Sequence, residues 1–363
     1  MKIQEVLQGI IEEKGAITYE EYMGHVLYHP TLGYYNKECT KIGASGDFIT
    51  TSNVSGVFAQ MIARFFYKVV QDGLLPPVVC EIGGGTGKFA FDFVQEWKRL
   101  TDERLTYIII ETSPHHRQLQ RERLGEEVIQ YSSLEELSTE IEGFVFSNEL
   151  FDAFPVHVIE KRNGNLYEIM ISFNEQQEFI EIPKKLEHPE ISAYLHTYHI
   201  ELEEGQRFEI PLLMEKYIQK LSRYISKSLV MTIDYGYTFE EWQQPYHRDG
   251  SLRGYYKHQM VTNPLLHLGE MDLTTHIHID MLKEEGNRVG LTYIGEWNQR
   301  DFLLRIGILQ YLQEHHDSNP FSEASKRNRA IRSLVMSDGM SPYFRVMLQQ
   351  KNMNVSINTY MPS

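Results

Sequence analysis

Cysteine is nearly absent: Cys39 and Cys80 are the only two in 363 residues. That excludes a disulfide framework and a Cys-rich zinc site. Basic residues are also short, with 35 Lys and Arg against 50 Asp and Glu and a formal net charge of −15. A Lys/Arg-rich face for nucleic-acid phosphates is therefore not expected, while a cationic substrate is not opposed. No window approaches the ~18 consecutive apolar residues of a membrane span. The start Met1-Lys2-Ile3-Gln4-Glu5 has no n-region followed by an apolar h-region, so the expectation is a soluble cytoplasmic protein. Internal repeats and low-complexity tracts are missing too. What is present is core material: 42% of residues are hydrophobic and 23% charged, which argues against a disordered chain. The length fits one large α/β enzyme, or a core with a subdomain. The 22 tyrosines and 18 phenylalanines suggest aromatic-rich surfaces or pockets, without saying which.

Ile3, Val6, Leu7, Ile10 and Ile11 share one helical face, and Gly15 ends that helix. Thr18-Tyr19-Glu20-Glu21 is a capping box, and the helix it opens should stop before His29-Pro30. Gly/Thr/Ser-rich loop sequence runs from Thr31 to Ser55. An amphipathic helix from Val54 to Phe66 follows, closed by Gly73 and Pro76-Pro77. From there strand and helix alternate. Val78 to Ile82, Leu105 to Ile110, Val128 to Tyr131 and Gly143 to Phe146 read as buried strands, with helices over Phe89 to Leu100 and Pro114 to Leu124. Short connections in this order are the sign of a parallel doubly wound sheet.

Val156 to Ser172 then predicts a hairpin, with Asn163-Gly164 as a type I′ turn. Charged, irregular sequence continues to Glu209, and Met214 to Lys227 reads as amphipathic helix. Leu229 to Asp234 is the fifth core strand. Tyr237 to Asp272 is too long for a simple connection. A helix from Ile279 to Glu285 and strands at Leu291 to Ile294 and Phe344 to Leu348 complete the pattern. The expected organisation is an N-terminal helical segment with a cleft-covering loop (1–75) and a first half of the core (76–160). An insertion (161–228) and a second half of the core (229–363) follow, the latter carrying a long insertion at 237–272.

Glu81-Ile82-Gly83-Gly84-Gly85-Thr86-Gly87 lies after a strand and before a helix. Its glycines let the backbone turn sharply and approach a ligand closely, beside the free N–H groups of a helix start. A dinucleotide fingerprint needs glycine where Lys88 stands. A phosphate-binding P-loop needs glycine at Ile82 and Ser or Thr at Phe89, so both readings fail. The tighter G-x-G-x-G turn resembles class I methyltransferases, in which the methionine part of S-adenosylmethionine lies over it. Glu111, ending the second strand, is then placed to accept hydrogen bonds from ribose hydroxyls. A glycine turn for packing with a solvated Glu111 is the plain alternative.

A more specific pattern begins at Asn148-Glu149-Leu150-Phe151-Asp152-Ala153-Phe154-Pro155-Val156. Together with His29-Pro30, Gly33-Tyr34-Tyr35, Gly46-Asp47-Phe48, Thr50-Thr51 and Ile233-Asp234-Tyr235-Gly236, it resembles the MidA family of class I methyltransferases. Leu252-Arg253, Tyr256, His258, Asp272-Leu273-Thr274, His276 and Gly339-Met340 before Phe344-Arg345-Val346 extend the likeness over nearly the whole chain. It departs from the family at Gly84 and Thr86, where proline and arginine are usual, and at Ser52-Asn53, Gln60 and His278. The family comprises bacterial and mitochondrial proteins, and the mitochondrial members act as a protein-arginine methyltransferase needed for respiratory complex I assembly. The resemblance implies an α/β fold with a Rossmann-like, seven-stranded, mostly parallel sheet, an N-terminal helical segment and an inserted subdomain. It also implies S-adenosyl-L-methionine as cofactor and a protein substrate. A cofactor-binding assembly factor without turnover and a small-molecule methyltransferase are the alternatives.

Methyl transfer to arginine needs carboxylates that orient a permanently charged guanidinium. Glu149 is assigned to that task and Asp152 as its helper, with Asp234 as a further acid at the end of the fifth strand. The cofactor side is assigned Glu81, Gly83, Gly85, Gly87, Glu111 and Asn148, with Asp47 and Thr50 closing over the methionine end. Plainer readings stand beside these: Asn148 as a helix cap with Glu149 on the dipole, Asp47 in a turn, and Asp234 as a structural strand-end acid. His258 and His276 are candidate active-site hydrogen bonders. His276 and His278 lack an accompanying ligand set, so no metal is expected.

Overall fold

A computed structural model describes residues 2–37, 56–313, 319, 322–336, 344–354, 356 and 359–361. Asp47 and Thr50 lie outside the described residues. The seven core strands are Val78–Ile82, Thr106–Ile110, Ile129–Tyr131, Ile141–Asn148, Ile225–Tyr237, Thr292–Asn298 and Phe344–Lys351. In space they run third, second, first, fourth, fifth, seventh, sixth. Pairings among the first five are parallel, and the seventh is antiparallel to both neighbours. A two-residue strand, Ile277–His278, adds to the fifth. Strand order reverses between the first and fourth strands, and in such sheets ligands bind outside the carboxyl ends at that point.

The fourth strand shows how the sheet is filled. Phe144 and Phe146 alternate with Val145, so the rings share one face. Phe146 stacks on Phe89 at 4.2 Å and Phe144 on Phe66 at 5.2 Å, which packs helices Lys88–Leu100 and Val57–Gln71 against that face. Much of the aromatic content is therefore core. The opposite face buries Val145 and Ile110 against helices Leu212–Arg223 and Ile279–Arg288.

The insertion is more ordered than its charged sequence predicts. The hairpin forms from His157–Arg162 and Asn165–Phe173, with Asn163 and Gly164 at φ 50° and 75° as a type I′ turn requires. Strands Phe179–Lys185 and Arg207–Ile210 extend it into an antiparallel sheet, and Pro189–Thr197 is a helix. Ile17–Thr18 joins the same sheet against Met170 and Ile171. Helices Ile3–Lys14 and Tyr19–Tyr28 pack on it through Leu7, Ile11, Met23 and Val26. The long segment after Tyr237 contributes a three-stranded sheet of Arg253–Tyr256, Gln259–Val261 and Asp272–Thr274.

His157 stitches these parts together. Buried, it places Nδ1 2.7 Å from Glu168 and Nε2 3.3 Å from Glu20 on helix Tyr19–Tyr28. Burial lowers its pKa, but the two carboxylates outweigh that and raise it from 6.5 to about 9. A group protonated more tightly when folded contributes stability that is complete below its unfolded pKa and lost as pH rises through the folded one. Thermal stability is therefore expected to fall between about pH 6.5 and 9, by at most roughly 3–4 kcal/mol. Melting curves of wild type and His157→Gln over that range check this; equal slopes in both contradict it.

Candidate active site

The glycine turn leaves the first strand with Gly83, Gly85 and Gly87 all at positive φ, 74°, 49° and 72°. Left-handed backbone at alternate positions is what only glycine adopts without strain. Helix Pro114–Leu124 braces the turn: Gln120 donates to the Gly85 carbonyl at 2.8 Å and Arg123 to that of Thr86 at 2.7 Å. A side chain at Gly83 would meet Leu150, and one at Gly87 would meet Gln120 and Leu124. A Cβ at Gly85 would meet nothing within 4 Å beyond its chain neighbours, and Gly85 borders a cavity of about 820 Å³.

Glu111 closes this half of the cavity. One carboxylate oxygen accepts from the Gly85 N–H at 3.0 Å and the other from the Ser113 N–H at 2.9 Å. Each oxygen keeps a further lone pair for a ligand hydroxyl. Glu81 is buried and accepts from Tyr107 Oη at 2.8 Å; burial raises its pKa to about 8, against the pull of that hydrogen bond. The buried Oδ1 of Asn148 has no hydrogen-bond partner among the described residues. A buried acceptor is costly to leave unpaired. A bound group carrying N–H donors, such as the amino end of S-adenosylmethionine, would satisfy it. The residues present thus fit that cofactor.

The other half is acidic. Glu149, Asp152 and Asp272 line the same cavity. Glu149 adopts φ 49°, strained for a residue with a side chain, and accepts from Asn148 Nδ2 at 2.9 Å. Its carboxyl is held well above the ordinary range, by burial first and then by Asp152. Asp152 accepts from Thr274 Oγ1 at 3.0 Å, and burial raises its pKa to about 6. No helix starts at Asn148; residues 149–155 are turns and irregular chain, so the capping reading does not apply.

Asp234 does not join them at the cavity. One of its oxygens accepts from the N–H groups of Phe151 and Asp152, at 2.9 and 3.3 Å, and the other from Tyr235. It is a positioning residue that holds the Glu149–Asp152 loop, and the assignment as an acid facing substrate is corrected. The fifth strand continues to Tyr237, so Asp234 does not end it. His258 sits exposed in a tight turn at φ 64°, away from the cavity. His276 stacks on Tyr237 at 4.5 Å and accepts from Arg253, also outside the cavity lining. Among the described residues no group of three His, Cys, Asp or Glu is placed to hold a metal. Asp272 and the tyrosines Tyr28 and Tyr35, which also line the cavity, were not singled out as site residues from sequence. Their only signal was that Asp272 and Tyr35 fall in stretches resembling the family.

A glycine turn after the first strand, an acid ending the second and a cleft at the strand-order reversal define a class I S-adenosylmethionine-dependent methyltransferase. A family model described as "Putative S-adenosyl-L-methionine-dependent methyltransferase" matches residues 61–296, and the chain belongs to that family, the MidA methyltransferases. The curated relatives include the protein arginine methyltransferase NDUFAF7, mitochondrial, of Xenopus tropicalis, 24% identical over 82% of this chain and 74% of its own. The rat protein of the same name is 25% identical over 82% of this chain and 72% of its own. A Burkholderia thailandensis protein crystallised with S-adenosyl-homocysteine superposes with a TM-score of 0.89 at 26% identity, covering 99% of this chain and 95% of that one. The curated relatives are mitochondrial by name, which lends the cytoplasmic expectation no support.

Proposed function

We propose that this methyltransferase acts on an arginine side chain of a protein partner. The observation that carries the reading is the pair Glu149 and Asp152. Both line the cavity with raised pKa values, and their side-chain hydrogen-bond partners among the described residues are the neutral Asn148 and Thr274. Buried carboxylates in that state gain most from a cation that brings its own N–H donors. A guanidinium meets that need with two parallel bonds to a carboxylate. The names of the curated relatives support the same acceptor.

Bound at the glycine turn, S-adenosylmethionine supplies an electrophilic methyl group at its sulfonium. Glu111 holds the ribose hydroxyls, and Glu81, Asn148, Gly83 and Gly85 border the methionine end; Asp47 and Thr50 are assigned to cover it. Glu149 orients the guanidinium with Asp152 beside it. The guanidinium nitrogen that would take the methyl, with the thioether of S-adenosylhomocysteine as leaving group, must lose a proton, and a carboxyl whose pKa is already raised is suited to take it. Incubating the protein with tritiated S-adenosylmethionine and a cell lysate tests this. Label is expected in protein and, after hydrolysis, in methylarginine; label confined to the small-molecule fraction or to methyllysine contradicts the reading.

A further inference from the structure

We propose that Asp272 is a third carboxylate holding the acceptor, positioned by Tyr35, and that the stacked Tyr28 and Tyr35 rings select a flat guanidinium over a compact ammonium. The proposal deepens the arginine reading above and rests on it. Three separate parts of the chain meet here. Glu149 and Asp152 follow the fourth strand, Asp272 comes from the small sheet, and both tyrosines come from the N-terminal segment.

Tyr35 Oη donates to Asp272 Oδ1 at 2.7 Å, and Tyr28 Oη donates to the Ala153 carbonyl at 2.8 Å. The two rings lie 5.4 Å apart at 30°. Ser113 Oγ donates to the Tyr35 carbonyl at 2.8 Å, so the segment is anchored beside Glu111. Hydroxyls fixed in this way make the wall rigid before any ligand arrives. Strand Asp272–Thr274 serves the site twice, because alternate residues share a face. Asp272 lines the cavity while Thr274 fixes Asp152. Asp272 is also within electrostatic reach of Glu149, Tyr28 and Tyr35.

A guanidinium offers in-plane N–H donors to carboxylates at its edge and a weakly hydrated face to an aromatic ring. A lysine ammonium has no such face and is held by water more strongly. Chamber geometry, not charge alone, thus sets the acceptor.

The test uses wild type, Asp272→Asn, Tyr35→Phe and Glu149→Gln, each saturated with S-adenosylhomocysteine and titrated with Nα-acetyl-arginine amide and Nα-acetyl-lysine amide. Wild type is expected to prefer the arginine probe by about tenfold or more. Asp272→Asn should lose about tenfold in arginine affinity, and Tyr35→Phe about threefold, each with a smaller change for lysine. S-Adenosylhomocysteine affinity within twofold of wild type (roughly, a difference below 0.5 kcal/mol) shows that the site is folded. If Asp272→Asn does not fold, Tyr35→Phe, which removes one hydroxyl, decides. Arginine binding that is lost in Glu149→Gln yet unchanged in Asp272→Asn and Tyr35→Phe overturns this proposal and leaves the arginine reading standing. A wild type without preference for arginine overturns both.

Discussion

Gly85→Val is expected to abolish S-adenosylhomocysteine binding, a loss of at least about a hundredfold, in a protein that still folds. Gly85 is the glycine of the turn where ligand space and packing separate. Substitution at Gly83 drives a side chain into Leu150, and at Gly87 into Gln120 and Leu124, so both disturb the protein itself. A Cβ at Gly85 meets no atom within 4 Å beyond its own chain neighbours, and Gly85 borders the cavity. The fold bears a left-handed penalty of roughly 1–2 kcal/mol, more for a β-branched residue. Against a typical stability of about 5–15 kcal/mol, that lowers the melting temperature by several degrees without unfolding the chain. Calorimetry beside a melting curve measures both. Unchanged affinity in the folded variant means that the ligand does not lie over this turn.

Glu149→Gln is expected to collapse methyl transfer while S-adenosylhomocysteine affinity stays within a few-fold. Glutamine keeps the shape and can still accept from Asn148. What disappears is the charge that pairs with a guanidinium and the group that takes its proton. A lost charge-assisted pair costs on the order of 2–3 kcal/mol, roughly thirtyfold to a hundredfold. Removing one of several mutually repelling acids also relieves Asp152 and Asp234, so the melting temperature should hold or rise. Loss of turnover with gain of stability marks a functional residue; equal loss of both assigns Glu149 to the scaffold.

The core was legible because its central strands are short runs rich in apolar residues and bounded by turns, as at Val78–Ile82 before the glycine loop. Strand Phe179–Lys185 was not, because it is largely solvated and carries Pro183, Lys184 and Lys185, the composition that protects strands from stray pairing. The glycine turn and Glu111 follow from local order alone. Asp272 and Tyr35 do not, since their meeting across 237 residues of chain is a property of packing. Asp234 was misread because a strand position says nothing about which N–H groups its carboxylate reaches. The left-handed backbone at Glu149 is equally invisible, as glycine and asparagine advertise such a conformation in sequence and glutamate does not.

In the proposed site one cleft divides between two acids, Glu111 for the cofactor and Glu149 for the acceptor. Calorimetric titration of S-adenosylhomocysteine into Glu111→Gln and Glu149→Gln, side by side with wild type, tests it most directly. Glutamine at 111 turns one of two backbone-accepting oxygens into a donor and removes the charge facing the ribose, so affinity should fall about thirtyfold or more. Glutamine at 149 should leave it within a few-fold. Equal losses in the two variants, or a larger loss at 149, contradict the division.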